Sequence, residues 1–201
     1  MRSRLLVIGT VVGAIVLFAW QSISHGVLGL PEKGLRQFPN DSGAASVAHA
    51  IRAIAPANGI YFSRYGVLSE VDISADYADK TQQFGSMMVK QVVIDLAVVF
   101  VLVLFLDRLA SASVWRTGAT YSALALAYMG CIDVSNWVWW NFPLSYTLGN
   151  VADQVIGFFL VGVTIAAIAR RYTPVEVETA ERQGVKAGAA PKSGLGVGVA
   201  R

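Results

Sequence analysis

The fold class this sequence predicts is an all-α integral membrane protein, with four transmembrane helices and a small extracytoplasmic α+β insertion between helices 1 and 2. Three observations lead there. Of the 201 residues, 55% are hydrophobic and 14% charged, against about 25% charged in soluble domains, and the mean hydropathy is +0.54. The apolar residues gather into four runs close to the ~20 residues that a helix needs to cross a hydrocarbon core about 30 Å thick. Ten of the sixteen Lys and Arg residues flank those runs, at Arg2 and Arg4, at Arg108 and Arg116, and from Arg170 onward.

The first run, residues 5–23 (LLVIGTVVGAIVLFAWQSI), closes a unit of residues 1–23 that includes the N-terminus. Residues 88–106, 119–140 and 151–169 form the other three, within a unit of residues 88–169. Hydrocarbon leaves an open backbone unsatisfied, so each run must be a helix or a strand of a closed barrel. Continuous apolar runs favour helices, because barrel strands alternate with period two. Arg2 and Arg4 also resemble the basic region of a signal peptide. The long apolar stretch and the lack of an A-x-A site after it favour an uncleaved helix. Gly9 and Gly13, and Ala119, Ala123 and Ala127, are small residues at helical spacing that would let helices approach closely.

Orientation follows from Lys and Arg near span ends and in short loops. The loop NFPLSYTLGN has neither. N and C termini are therefore expected in the cytoplasm, in a membrane of the bacterial inner type, and residues 24–87 outside it. That outer segment opens with the turn-rich SHGVLGLPEKGLRQFPND. Val47, Ile51 and Ile54 then recur at helical spacing, with Asp41 or Ser42 as cap. Pro56 and Gly59 should end that helix. IYFSRY and VLSEVDIS, separated by Gly66, read as a hairpin. From Ala75 a helix is expected to run into the second span. The segment is too small for a core of its own, so Tyr61, Phe62, Tyr65 and Tyr77 are expected to pack it on the helix ends. Residues 170–201, rich in Gly and Ala after Tyr172, read as a disordered cytoplasmic tail.

The candidate site lies among polar groups inside the apolar runs. An ionised carboxylate near mid-bilayer is costly unless paired, hydrated or protonated, and the topology places Asp95, Asp133 and Asp153 in the outer leaflet. Gln91 stands four residues before Asp95; Asn136 shares a helix face with Asp133; Gln154 adjoins Asp153; His25 follows the first span. Asp95, Asp133, Asn136, Asp153, Gln91 and His25 are therefore the ligand- or ion-binding candidates. They fit a cation site, a proton-accepting site, or a pocket for a polar headgroup or quinone. The competing reading is structural: interhelical hydrogen bonds, with Arg36, Arg52, Arg64 or Lys90 pairing with the acids. It is preferred, because Asp153 lies near enough to the interface for water to reach it.

The remaining chemistry is sparse. One cysteine, Cys131, excludes an intramolecular disulfide, a Cys-x-x-Cys pair and a multi-thiolate metal site in this chain. Cys131 is expected to pack as a small apolar residue, and His49 to face solvent. No G-x-S-x-G, H-E-x-x-H, Walker or dinucleotide motif occurs, so no catalytic residue, metal or cofactor is expected. The basic residues are placed for topology, which argues against nucleic acid. The function expected is that of a non-catalytic accessory, assembly or interaction subunit in the lipid bilayer, with a membrane-protein partner or a second copy of itself. The alternatives are a small transporter or ion- or proton-conducting subunit using the outer carboxylates, and a membrane enzyme acting on lipid or quinone.

Overall fold

A computed structural model describes residues 2–36, 38–55, 57, 59–63, 67–71, 80–109 and 113–172. Its elements are α1 (Arg2–Ile23), a π-helical turn (Ser24–Leu28), a 3-10 turn (Pro31–Gly34), α2 (Asp41–Ile54), β1 (Gly59–Ser63), β2 (Val67–Val71), α3 (Lys80–Leu104), α4 (Leu106–Leu109), α5 (Val114–Trp140) and α6 (Leu144–Tyr172). The expected hairpin turn with Arg64, Tyr65 and Gly66, the stretch 75–79 with Tyr77, and the tail after Tyr172 lie outside the described residues.

Three helical runs, Ser3–Gly34, Phe84–Leu104 and Leu144–Tyr172, are long and apolar enough to cross a membrane. The 27 residues of α5 are long enough too, but Thr120, Ser122, Asp133, Ser135 and Asn136 dilute its apolar character, and α5 does not join that set.

Neighbouring helices run antiparallel. α1 packs between α3 and α6, and α6 between α1 and α5. Ala14 and Leu17 of α1, Val99 and Val103 of α3, Leu106, Tyr121 of α5, and Val161 and Ile165 of α6 form the core. Gly9 and Gly13 turn toward α3: a Cβ on Gly13 would lie 2.6 Å from Val99 Cγ1 and 3.2 Å from Ile165 Cγ2. This small-residue pair therefore packs helices within the chain, where close approach increases dispersion contact.

The close-packing face of α5 differs from the one expected. Ala119, Ala123 and Ala127 are exposed, and the buried seam is Thr117, Gly118, Tyr121 and Ala125, with half-buried Ser122. Gly118 gives more room than any alanine: its Cα would lie 2.9 Å from a Cβ on Gly162. The hydroxyls on this face also find backbone acceptors across the interface. Tyr121 donates to the Leu102 carbonyl of α3 at 2.8 Å, and Ser122 to the Val155 carbonyl of α6 at 2.8 Å. Cys131, expected to be packed, is exposed.

Between α1 and α3 in sequence, the α-helix and hairpin form as the periodicities predict. The cap of α2 is Asn40, one residue before the two expected. Its backbone is extended and its Oδ1 accepts from the Gly43 amide at 2.7 Å, whereas Asp41 and Ser42 already lie inside the helix. No side chain of α2 is buried, and His49 is exposed. β1 and β2 pair antiparallel from Gly59↔Val71 to Ser63↔Val67.

The turn-rich residues after α1 are not an open loop. The Leu30 amide bonds to the Ser24 carbonyl at 3.0 Å, and Gly29 takes the left-handed conformation, φ 56°, that ends the π turn and reverses the chain. Pro31, with no amide to satisfy, starts the 3-10 turn. This double turn folds onto the start of α6, with Gly34 against Tyr146 and the Leu30 carbonyl against Gly149.

Candidate functional site

The end of α1, the double turn after it, the start of α3 and the start of α6 meet at one end of the bundle, and most of the candidate polar residues collect there. Trp20, on the last turns of α1, donates its indole N–H to the Asp153 carbonyl at 2.9 Å. Gly157, one turn along α6, admits the indole; a Cβ there would sit 3.0 Å from Trp20 Cδ1. The contact holds α1 and α6 in register and places the Asp153 side chain, 2% exposed, beneath the π turn.

His25 bridges the two turns and α6. Its Nδ1 lies 2.8 Å from Glu32 Oε1, and its Nε2 lies 3.8 Å from Asp153 Oδ2. Gln154 approaches the same carboxylate oxygen at 3.4 Å. On the opposite wall, the Gln91 side-chain amide donates to Asp95 Oδ1 at 2.8 Å and to Gln21 Oε1 at 3.3 Å, which ties α3 to α1. Asp95 is 1% exposed. Burying a polar group without a partner is expensive, and one oxygen each of Asp95, Asp133 and Asp153, with the Ser24 and Thr147 hydroxyls, is buried with no hydrogen-bond partner among the described residues.

Between these walls lies a cavity of 640 Å³, within the 300–1,000 Å³ or so usual for small-molecule sites. Gln21, Ser22, His25, Glu32, Gln91 and Gln154 form its polar side; Phe18, Phe84, Met87 and Met88 form its apolar side. Phe84 and Met87 remain exposed.

The structure thus pairs four of the six candidates, His25 beside Asp153 and Gln91 on Asp95. Asp133 and Asn136 lie on α5. Asp133 is buried, yet among the described residues no hydrogen bond or ion pair joins it to the other acids. Asn136 contributes its backbone: its carbonyl accepts from the Asn141 and Phe142 amides where α5 ends. Arg36 and Lys90, expected as partners for the acids, are exposed and pair with none of them among the described residues.

Glu32 was not legible from the sequence. It sits seven residues after His25 with Gly29 and Pro31 between them, and only the π turn, the left-handed glycine and the 3-10 turn together bring the side chains to contact. The apolar wall of Phe84, Met87 and Met88 was hidden for a related reason, since it belongs to the part of α3 that precedes or only begins the predicted span. Comparison of this chain with protein-family models, with curated proteins and with solved structures finds no match.

Proposed function

We propose that this chain is a non-catalytic accessory or interaction subunit of a bacterial-type inner membrane, built on four transmembrane helices with both termini in the cytoplasm. The observation that carries the reading is α2. It is a 14-residue amphipathic helix, capped at its start, with no residue buried by the chain. Its apolar residues include Val47, 41% exposed, and Ile54, 83% exposed. Apolar surface left open on a segment between spans is what a protein-binding face looks like. Support for α5 as the fourth span comes from its packing. It lies along α6 from Gly118 to Ser122 and reaches α3 through Tyr121, so it shares the depth of two helices apolar enough to span. The Lys and Arg distribution supports the orientation.

The test is to purify the full chain in mild detergent beside a Val47→Asp, Ile54→Asp double variant. Both sites are exposed, so thermal stability should be unchanged, while a stoichiometric partner that accompanies the wild type should be lost. A partner retained by the double variant would overturn the reading.

A second reading, a small ion- or proton-conducting subunit, is favoured by the unpartnered oxygens of the buried Asp95, Asp133 and Asp153. Asp95→Asn and Asp133→Asn separate the two. Lost stability or partners match a scaffold, whereas an intact, partnered protein that loses its cellular phenotype matches transport.

A further inference from the structure

The cavity between α1, α3 and α6 has a chemical bias that identifies its ligand, and we propose that it binds an ammonium group carried on an apolar tail. The proposal rests on the cavity alone and is independent of the partner-binding role of α2.

The bias lies in which hydrogen-bonding atoms are left over. Ser22 has already donated to the Phe18 carbonyl at 2.8 Å, and the Gln91 amide nitrogen is committed to Asp95 and Gln21. His25 Nδ1 is taken by Glu32 Oε1. What the lining residues keep without a hydrogen bond among the described residues is mostly acceptor, namely the second Glu32 oxygen and the side-chain carbonyls of Gln91 and Gln154, beside His25 Nε2, which stands 3.8 Å from Asp153 Oδ2. Gln21 Nε2 is the one amide nitrogen of the lining still uncommitted among those residues. No Lys or Arg lines the cavity, and directly behind His25 stands the buried Asp153 carboxylate.

Such a wall suits a head that donates several hydrogen bonds and carries positive charge. It is a poor match for a phosphate or carboxylate, which needs donors and cations. A quinone brings two carbonyls and no donor, so it would leave the unpaired acceptors of this wall unmet. The apolar side completes the fit: the rings of Phe18 and Phe84 can face a cation, and the flexible thioethers of Met87 and Met88 adapt to a chain of variable shape.

The same ammonium chemistry occurs in an aminophospholipid headgroup and in a free amphiphilic amine. The experiment separates the two sources. Full-length protein in dodecyl maltoside is titrated with dodecylamine, dodecanol and dodecanoate, which share one tail, and with decylubiquinone. Bound ligand is read by native mass spectrometry and thermal stability by tryptophan fluorescence. Dodecylamine should bind at one per chain, about ten-fold or more above the other three, as expected for one charge-assisted contact.

Glu32→Gln should remove about that factor while leaving the unfolding temperature of the free protein in place, because Glu32 is 46% exposed and Gln can still accept from His25. Met87→Trp, which adds bulk to the lining from an exposed position, should abolish binding. Equal binding of the three tails, preference for decylubiquinone, or undiminished amine binding by Glu32→Gln would each overturn the proposal. Displacement of dodecylamine by phosphatidylethanolamine, and not by phosphatidylglycerol, in nanodiscs would identify the lipid as the source. Retained amine in both would identify a free amine.

Discussion

Replacing Gly149 with alanine adds one methyl group where, of the glycines among the described residues, a Cβ would come nearest to another atom. The Cβ would meet the Leu30 carbonyl oxygen, lie 2.7 Å from its carbon and sit 3.3 Å from Pro31 Cα. Carbon atoms in good contact stand about 3.5–4.0 Å apart, so the carbonyl carbon has to retreat by about 1 Å. Every obstructing atom is backbone, and no rotamer change can relieve the clash. The double turn must lift from α6 as a unit, taking with it the seat of Gly34 on Tyr146 and the His25 and Glu32 pair. Overpacking of this kind costs about 1–3 kcal/mol, sometimes more, offset by the 0.5–1 kcal/mol or so that alanine gains over glycine inside a helix. The net expectation is a loss of about 1–2 kcal/mol.

Gly85→Ala is the matched control. It makes the same chemical change in α3, where nothing lies within 4 Å of the new Cβ, so only the helix gain remains. Equilibrium unfolding in mixed detergent micelles, followed by tryptophan fluorescence, reads both variants against wild type. The order expected is Gly85→Ala at or above wild type and Gly149→Ala below it. A Gly149→Ala variant as stable as the control would refute the close crossing and, with it, the seating of the double turn on α6.

Two further outcomes test the packing and the cap of α2. Tyr121→Phe keeps the fully buried ring but deletes its hydrogen bond to the Leu102 carbonyl, so stability in the same assay should fall by about 1 kcal/mol; an unchanged midpoint would remove this link between α3 and α5. Asn40→Ala deletes the acceptor for the Gly43 amide and should destabilise α2 by about 1 kcal/mol. Hydrogen exchange of residues 43–46 should then quicken while exchange in α6 holds, and equal rates would rule out Asn40 as the cap.

Run length and composition were enough to find the helices. A stretch of about 20 apolar residues must satisfy its own backbone, whatever surrounds it; residues 5–23, 119–140 and 151–169 fall within helices, and 88–106 does so as far as Leu104, where α3 ends in a turn at Phe105. α2 was legible because one face of it is apolar and the other polar, and the hairpin because β-branched residues alternate beside Gly66. In the candidate site, Gln91 and Asp95 were legible as a pair because they share one helix at a spacing of four residues.

The direction each helix faces was decided only by tertiary structure. Apolar residues mark the packed side of a helix only where the other side is polar; hydropathy around α5 is nearly uniform and gives no reason to choose Gly118 and Tyr121 over the alanine row one residue away. That choice came from the room at Gly118 and from the acceptors that Tyr121 and Ser122 meet on α3 and α6. His25 and Glu32 met for a similar reason: a π turn, one left-handed glycine and a 3-10 turn had to stack against Gly149 before two side chains seven residues apart could touch. Composition alone thus determined that this chain forms apolar helices long enough to span, whereas backbone crossings at a few glycines decided which faces pack and where the polar cavity opens.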